Sequence, residues 1–79
     1  MTVKEIESRV YDAIKSCGSN GIMLSKICGK VFNSDDIRVY INIETDIVFK
    51  VIDKLLSENI IVKEYGYYYM RKVYDQVYS

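Results

Sequence analysis

The stretch that decides the fold is DIVFKVIDKLLSENIIVK, residues 46–63. Its apolar residues recur at intervals of three and four, which is typical of a helix with one buried face. The apolar stripe consists of Ile47, Val48, Val51, Ile52, Leu55 and Leu56. Residues 44–46 (Glu-Thr-Asp) offer capping side chains and negative charge at the start of this helix. Asn59 suits a left-handed residue at its end.

A β-hairpin is predicted directly after this helix. Residues 60–64 (IIVKE) and 67–70 (YYYM) are strand-like runs, and only Tyr65 and Gly66 separate them. A connection of this length predicts a tight antiparallel turn. Residues 72–79 predict a short final helix because their apolar side chains recur at helical spacing. Its apolar edge consists of Val73, Tyr74, Val77 and Tyr78.

The first helix is predicted from Thr2 and Glu5, which have the spacing of a capping box. The helix is expected to end near Cys17, because residues 18–21 (GSNG) favour a turn. Its apolar stripe consists of Val3, Ile6, Val10, Ala13, Ile14 and Cys17.

A second helix is predicted after the short extended pair Ile22-Met23, with Ser25 as its cap. Its apolar positions are Ile27, Cys28, Val31 and Phe32. Residues 33–36 (NSDD) favour a turn that ends it. In residues 37–43 the apolar side chains alternate, which predicts a strand with one buried face. The alternative is a helical extension of the next element.

The order of these elements resembles the winged helix-turn-helix family. Residues 46–63 are similar to that family's third helix and first wing strand, and residues 20–27 (NGIMLSKI) to its entry into the second helix. The resemblance spans residues 3–70. It implies one α+β domain over residues 1–79, a three-helix core with a C-terminal β-hairpin wing. Such domains occur in small regulators of archaea and their viruses, and in parts of the RNA polymerase III apparatus.

The chain departs from the family between the second and third helices. The family usually joins them by a short turn, whereas here 12 residues, Asn33 to Glu44, intervene.

The resemblance implies a DNA-binding transcriptional regulator, with double-stranded DNA as its partner. The third helix would lie in the major groove, and the wing against the backbone or minor groove. The outward positions of this helix are Thr45, Asp46, Phe49, Lys50, Asp53 and Lys54. The residues expected to contact DNA are Thr45, Phe49, Lys50, Lys54, Lys63, Tyr65, Arg71 and Lys72. Residues 44–58 contain four acidic side chains and two basic ones, so a solvated face is the alternative interpretation.

The charge balance favours a second function class. The chain has 11 basic and 11 acidic residues, and DNA-binding domains usually have a basic surplus. The alternative function is a protein-interaction module in a transcription-related or other assembly. Five of the eight tyrosines lie in residues 65–74, and tyrosine is enriched at interaction hot spots. A homodimer is expected to use Val73, Tyr74, Val77 and Tyr78, which would otherwise pack onto their own first helix.

No catalytic site, metal site or cofactor is expected. The chain has no histidine and therefore lacks the commonest general acid–base and metal ligand. Cys17 and Cys28 alone cannot form a structural zinc site. Both are expected to be small buried hydrophobic residues, and a disulfide between them is the alternative.

Neither a membrane helix nor a signal peptide is expected. The sequence has no run of about 18 apolar residues. Its first ten residues, MTVKEIESRV, alternate charged with apolar side chains. These features favour a cytoplasmic location, or a nuclear one in a eukaryotic host.

Overall fold

The computed structural model describes residues 2–32 and 43–78. In chain order, the elements are α1 (Val3–Cys17), a 3-10 turn (Gly18–Asn20), β1 (Ile22–Met23), α2 (Leu24–Phe32), α3 (Ile43–Ser57), β2 (Ile61–Glu64), β3 (Tyr67–Met70) and α4 (Arg71–Tyr78). The described residues thus form an α+β fold with four helices and one antiparallel sheet of order β1-β3-β2. This order is compatible with a winged-helix-like arrangement.

The start of α1 is fixed by the predicted capping box, which is confirmed. The Glu5 amide donates to Thr2 Oγ1 at 3.1 Å, and the Thr2 amide donates to Glu5 Oε1 at 3.3 Å. The hydrogen bond from the Thr2 backbone lowers the pKa of Glu5, because it stabilises the carboxylate. The helix ends at Cys17 as predicted, and Gly18 follows with a φ of 52°.

The second helix begins two residues earlier than predicted, since Ser25 as a cap would have made Lys26 its first residue. Because β1 leads directly into α2, Leu24 is already helical, and Ser25 lies inside the first turn rather than before it. Arg9 Nη1 of α1 donates to the carbonyl oxygen of Val31 at 3.0 Å. A cation near the last carbonyls of a helix stabilises them, so this bond ties α1 to the last turn of α2.

The third helix also begins earlier than predicted. It starts at Ile43, so the prediction of a strand is wrong at that residue, and residues 44–46 lie within the helix rather than before it. The rest of the predicted strand, residues 37–42, lies outside the described residues, and so does the predicted turn at residues 33–36.

The end of α3 is the left-handed terminator that was predicted. Asn59 has a φ of 60°. The Asn59 amide donates to Leu56 O at 3.1 Å, and the Ile60 amide donates to Leu55 O at 2.9 Å. These two bonds form a Schellman motif, which satisfies the last carbonyls of the helix and turns the chain into β2.

The tight hairpin is confirmed. Tyr65 and Gly66 have φ values of 51° and 81°, as a two-residue turn between twisted strands requires. Strand β2 pairs with β3 from Ile61 opposite Met70 to Glu64 opposite Tyr67. On its other side β3 pairs with β1, which places the short extended pair of the sequence in the same sheet.

One hydrophobic core joins these elements, because the stripes of α1, α2 and α3 and the inner face of the sheet meet. Its buried residues are Ile6, Val10, Ala13, Ile14, Ile22, Ile27, Cys28, Val31, Val48, Val51, Ile52, Leu55, Ile61 and Tyr68. Full burial of a valine or isoleucine side chain contributes about 1.5–3 kcal/mol. Val3, predicted in the stripe, is instead 56% exposed at the first turn of α1.

Candidate nucleic-acid interface

The outer side of α3 is open to solvent, as the sequence predicted for most of its residues. Asp46, Phe49, Lys50, Asp53 and Lys54 are all exposed. Phe49 stands out because it is a large apolar side chain that is 42% exposed on a charged face. The other side of the same helix packs against α1 and β2.

Thr45 is a correction to the predicted interface. It was expected to face outward, but it is only 5% exposed. Because α3 begins at Ile43, Thr45 lies inside the helix, three positions before Val48 and seven before Ile52. These spacings place the three side chains on the same, buried face. Thr45 therefore lacks the exposure that a base contact requires.

The charge on the outer side of α3 is partly neutralised within the chain. Lys54 Nζ lies 3.5 Å from Glu7 Oε1 of α1. Both side chains are more than one-third exposed, so the pair is screened and contributes little to stability. A phosphate at this position would have to compete with Glu7 for the lysine. Lys50, in contrast, has no ion-pair partner among the described residues.

The hairpin brings an aromatic tip to the surface. Tyr65 is 94% exposed at the turn. Behind the tip, Lys63 Nζ lies 5.7 Å from the centre of the Tyr68 ring, in a cation–π contact. Such contacts contribute about 0.5–1 kcal/mol at exposed sites. The tip thus offers a tyrosine ring, and the nearest lysine is directed toward an aromatic ring of its own chain.

Two predicted cations lie beyond the hairpin, in the first turn of α4. Arg71 Nε lies 3.2 Å from Asp75 Oδ2, one helical turn further on. The Arg71 amide donates to Ile60 O at 2.9 Å, which ties the start of α4 to the start of the hairpin. Lys72 is exposed and has no ion-pair partner among the residues that the structure describes.

The predicted dimerisation residues lie on α4, where a cluster of three tyrosines forms within the chain. Tyr74 and Tyr78 lie 5.6 Å and 5.8 Å from Tyr69 of β3, measured between ring centres, and 5.0 Å from each other. Helix α4 contacts β2, β3 and the 3-10 turn, so the alternative of packing mainly onto α1 is wrong. Val73 is half-buried, while Val77 is 52% exposed.

Hydrogen bonds and burial fix the tyrosine cluster further. Tyr74 Oη donates to Glu64 Oε2 at 3.4 Å, and Tyr78 Oη donates to Ser19 O at 3.5 Å. Loss of solvation among the rings raises the pKa of Tyr69, with Tyr78 as its next cause. Loss of solvation, and then the Glu64 carboxylate, raise the pKa of Tyr74.

Sequence reasoning missed Tyr69 as the centre of this cluster, and missed a second cationic feature on α2. Lys26 and Lys30 are one turn apart, both are exposed, and no acidic residue accompanies them between Leu24 and Phe32. That charge bias could have been seen in the sequence alone. The position of Tyr69 could not, because it depends on how α4 folds back on the sheet.

The two cysteines are free thiols in the structure. Cys28 is 3% exposed in the core, which confirms its prediction as a buried hydrophobic residue. Burial raises the pKa of the Cys28 thiol. Cys17 is half-buried at the end of α1 and packs against the edge of the core.

Residues 2–32 and 43–78 lack the features of two other kinds of site. These residues contain no group of three or more acidic or cysteine side chains placed to hold a metal ion. No described helix is long and apolar enough to cross a membrane.

Comparisons with protein-family models, with curated proteins and with solved structures gave no match for this chain.

Proposed function

We propose that this chain is a winged-helix DNA-binding regulator that contacts duplex DNA through the outer side of α3. The observation that supports the proposal most is the open face of α3, which lies in a small α+β domain whose order of helices and strands is compatible with a winged-helix-like arrangement. On that face, Phe49 and Lys50 are adjacent and exposed. A lysine can reach guanine in the major groove, and an aromatic ring can contact the thymine methyl group.

The intramolecular contacts predict a weak dependence on salt. Each phosphate that a cation neutralises contributes about −0.9 to the slope of log affinity against log salt concentration. Lys50 and Lys72 are exposed without an ion-pair partner in the described part of the chain, which predicts a slope of about −2. If Lys54, Lys63 and Arg71 also left their present partners, the slope would approach about −4.5.

Fluorescence anisotropy with a labelled random duplex of about 20 base pairs at low salt tests the proposal. Lys50→Gln should weaken binding, because it removes an exposed cation from the proposed face. Lys15→Gln removes the same charge from the last turn of α1 and should leave the affinity nearly unchanged. Equal losses in the two variants would show that only net charge matters and would contradict the assignment to α3.

The Lys54–Glu7 pair allows a test in the opposite direction. Glu7→Gln releases Lys54 for a phosphate, and should raise the affinity by about 1.4- to fivefold, since an exposed ion pair is worth about 0.2–1 kcal/mol. Asp12→Asn removes an exposed acid elsewhere on α1 and serves as the control. An equal gain in both variants would indicate a general charge effect instead.

The second candidate function is a protein-interaction module, favoured by the apolar side chains exposed outside α3. Among these, Tyr65 is 94%, Tyr78 55%, Val77 52% and Met23 45% exposed. Tyrosine-rich surfaces of this kind are typical of protein interfaces. Absence of duplex binding at about 100 µM protein in low salt, together with a dimer mass by light scattering, would favour this function over DNA binding.

A further inference from the structure

Among residues 2–32 and 43–78, only one end of the outer face of the sheet is covered. Residues two apart on a strand share a face, so Tyr67 and Tyr69 point to the same side of β3. Tyr69 is covered by the rings of Tyr74 and Tyr78 from α4. Tyr67 lies beyond this cover and is 39% exposed, and Met23, its partner across β1 and β3, is 45% exposed.

The uncovered end continues into a groove between β1 and α2. Its lining residues are Cys17, Gly21, Ile22, Met23, Lys26, Lys30 and Tyr67. The sheet and the end of α1 supply an apolar floor. Among the described residues, the only charged groups of the lining are the ammonium groups of Lys26 and Lys30 on the helix. The described part of the groove therefore combines an apolar floor with a cationic rim.

The two lysines are placed for a ligand with two spaced negative charges. Side chains four residues apart on a helix lie side by side, with Cβ atoms about 5–6 Å apart. Lys30 Nζ donates to Ser16 Oγ at 3.2 Å, which holds its ammonium at the groove. Lys26 has no ion-pair partner among the described residues. The nearest acid along the sheet, Glu64 opposite Tyr67, already accepts a hydrogen bond from Tyr74.

This spacing matches an extended peptide better than a nucleic-acid strand. Alternate residues of an extended chain lie about 6.6 Å apart and point to one side, while the residues between them point to the other. Glutamates at alternate positions could therefore meet both lysines while apolar neighbours contact the floor. A nucleic-acid strand is bound by a longer track of cations and by several aromatic rings that stack on successive bases, whereas the described lining of this groove has two lysines and one ring, Tyr67.

We propose that the groove formed by Met23, Lys26, Lys30 and Tyr67 binds an acidic, apolar segment of a partner protein in an extended conformation. Two carboxylates of that segment pair with the lysines, and its apolar side chains cover Met23 and Tyr67. The groove lies at the β1 edge of the sheet, whereas α3 packs against β2 at the opposite edge. The proposal is thus independent of DNA binding by α3, and both surfaces could be occupied together.

The probe is a fluorescein-labelled peptide of about nine residues in which glutamate alternates with valine. Fluorescence anisotropy should give a dissociation constant of about 10–100 µM, as expected for a short segment on a small surface. Two comparison peptides replace every glutamate with lysine or every valine with glycine. Both should bind at least about tenfold more weakly, because each loses one of the two recognised features. Equal binding of the lysine peptide would overturn the proposal, and so would no binding of the glutamate–valine peptide at about 1 mM.

The matched variants remove equal charge inside and outside the groove. Lys26→Gln with Lys30→Gln should weaken peptide binding by about tenfold or more. Lys4→Gln with Lys15→Gln removes the same charge from α1, outside the groove, and should change binding by less than about twofold. Circular dichroism of both double variants checks that they fold. Equal losses in the two variants would overturn the proposal.

A native thiol in the groove gives a second readout. Cys17 lines the groove, whereas Cys28 is buried in the core. The glutamate–valine peptide should slow the reaction of Cys17 with a thiol reagent in proportion to its occupancy. Unchanged labelling of Cys17 at saturating peptide would place the peptide elsewhere and overturn the assignment.

Two other occupants are distinguished by the same variants. If Lys26→Gln with Lys30→Gln abolished binding of an oligonucleotide while the peptide did not bind, the groove would be a nucleic-acid site. If light scattering showed a dimer and the same variant were a monomer, the occupant of the groove would be a second copy of this chain. Either result would overturn the proposal for a partner peptide. Loss of duplex binding in Lys50→Gln with unchanged peptide binding would leave it intact.

Discussion

A single methyl group added at Gly21 is expected to destabilise this protein more than a methyl group at any exposed turn. A Cβ atom built on Gly21 would lie 2.7 Å from both Cε1 and Cζ of the Tyr69 ring. The ring cannot retreat freely, because Tyr74 and Tyr78 pack on it within 6 Å. Gly21 also has φ 73° and ψ 175°, a conformation that is almost restricted to glycine.

These two effects set the size of the loss for Gly21→Ala. The backbone conformation costs about 1–3 kcal/mol for a residue with a side chain. Overpacking against an aromatic ring costs about another 1–3 kcal/mol. Together they predict a loss of about 2–6 kcal/mol in the free energy of unfolding. At about 0.05–0.15 kcal/mol per residue, a chain of 79 residues has a total stability of about 4–12 kcal/mol. The variant should therefore lose about half of the free energy of unfolding of the protein.

Urea unfolding followed by circular dichroism measures the loss, provided that the denaturant slope is unchanged. Gly66→Ala is the matched control, since Gly66 has a φ of 81° but no atom within 4 Å of the added Cβ. Gly66→Ala should therefore lose only the free energy that the left-handed backbone conformation costs a residue with a side chain. Tyr69→Leu tests the steric part, because Gly21→Ala should be less harmful in that background. If Gly21→Ala cost no more than Gly66→Ala, the ring contact would contribute nothing and the reasoning would be refuted.

Three further predictions concern the helix cap, the tyrosine cluster and the cysteines. Thr2→Ala should lower the free energy of unfolding by about 1 kcal/mol and Thr2→Ser should not; equal losses would show that the hydroxyl cap is unimportant. Because the folded protein raises the pKa values of Tyr69 and Tyr74, these two side chains ionise at a lower pH in the unfolded chain than in the folded one. The stability that these two tyrosines contribute is complete below the ordinary tyrosine pKa of about 10 and is lost as pH rises through their pKa values in the folded protein. Ultraviolet absorbance would follow the ionisation of the tyrosines, and thermal unfolding at each pH would follow the stability. A thiol reagent should modify half-buried Cys17 first and Cys28 only on unfolding, since Cys28 is 3% exposed with a raised pKa; equal rates would contradict its burial.

The features that the sequence alone determined are those that depend on near neighbours along the chain. The capping box at Thr2, the turn at Tyr65 and Gly66, and the left-handed end of α3 at Asn59 each involve residues within a few positions. Their hydrogen bonds close short loops, so local sequence is enough to specify them. The helical period of residues 46–57 is equally local, and the structure confirms the helix there.

The features that only the tertiary structure decided depend on which distant elements come into contact. Thr45 is buried because α3 begins early and presents that side to the core, which its position between two acidic residues in the predicted cap did not reveal. The sequence predicted that Lys54 is free to contact DNA, but in the folded protein Lys54 lies 3.5 Å from Glu7 of α1. The sequence likewise held no sign that Tyr69 would lie against Gly21. A side chain's neighbours across a fold are fixed by how helices and strands pack, and packing joins residues that local patterns treat as unrelated.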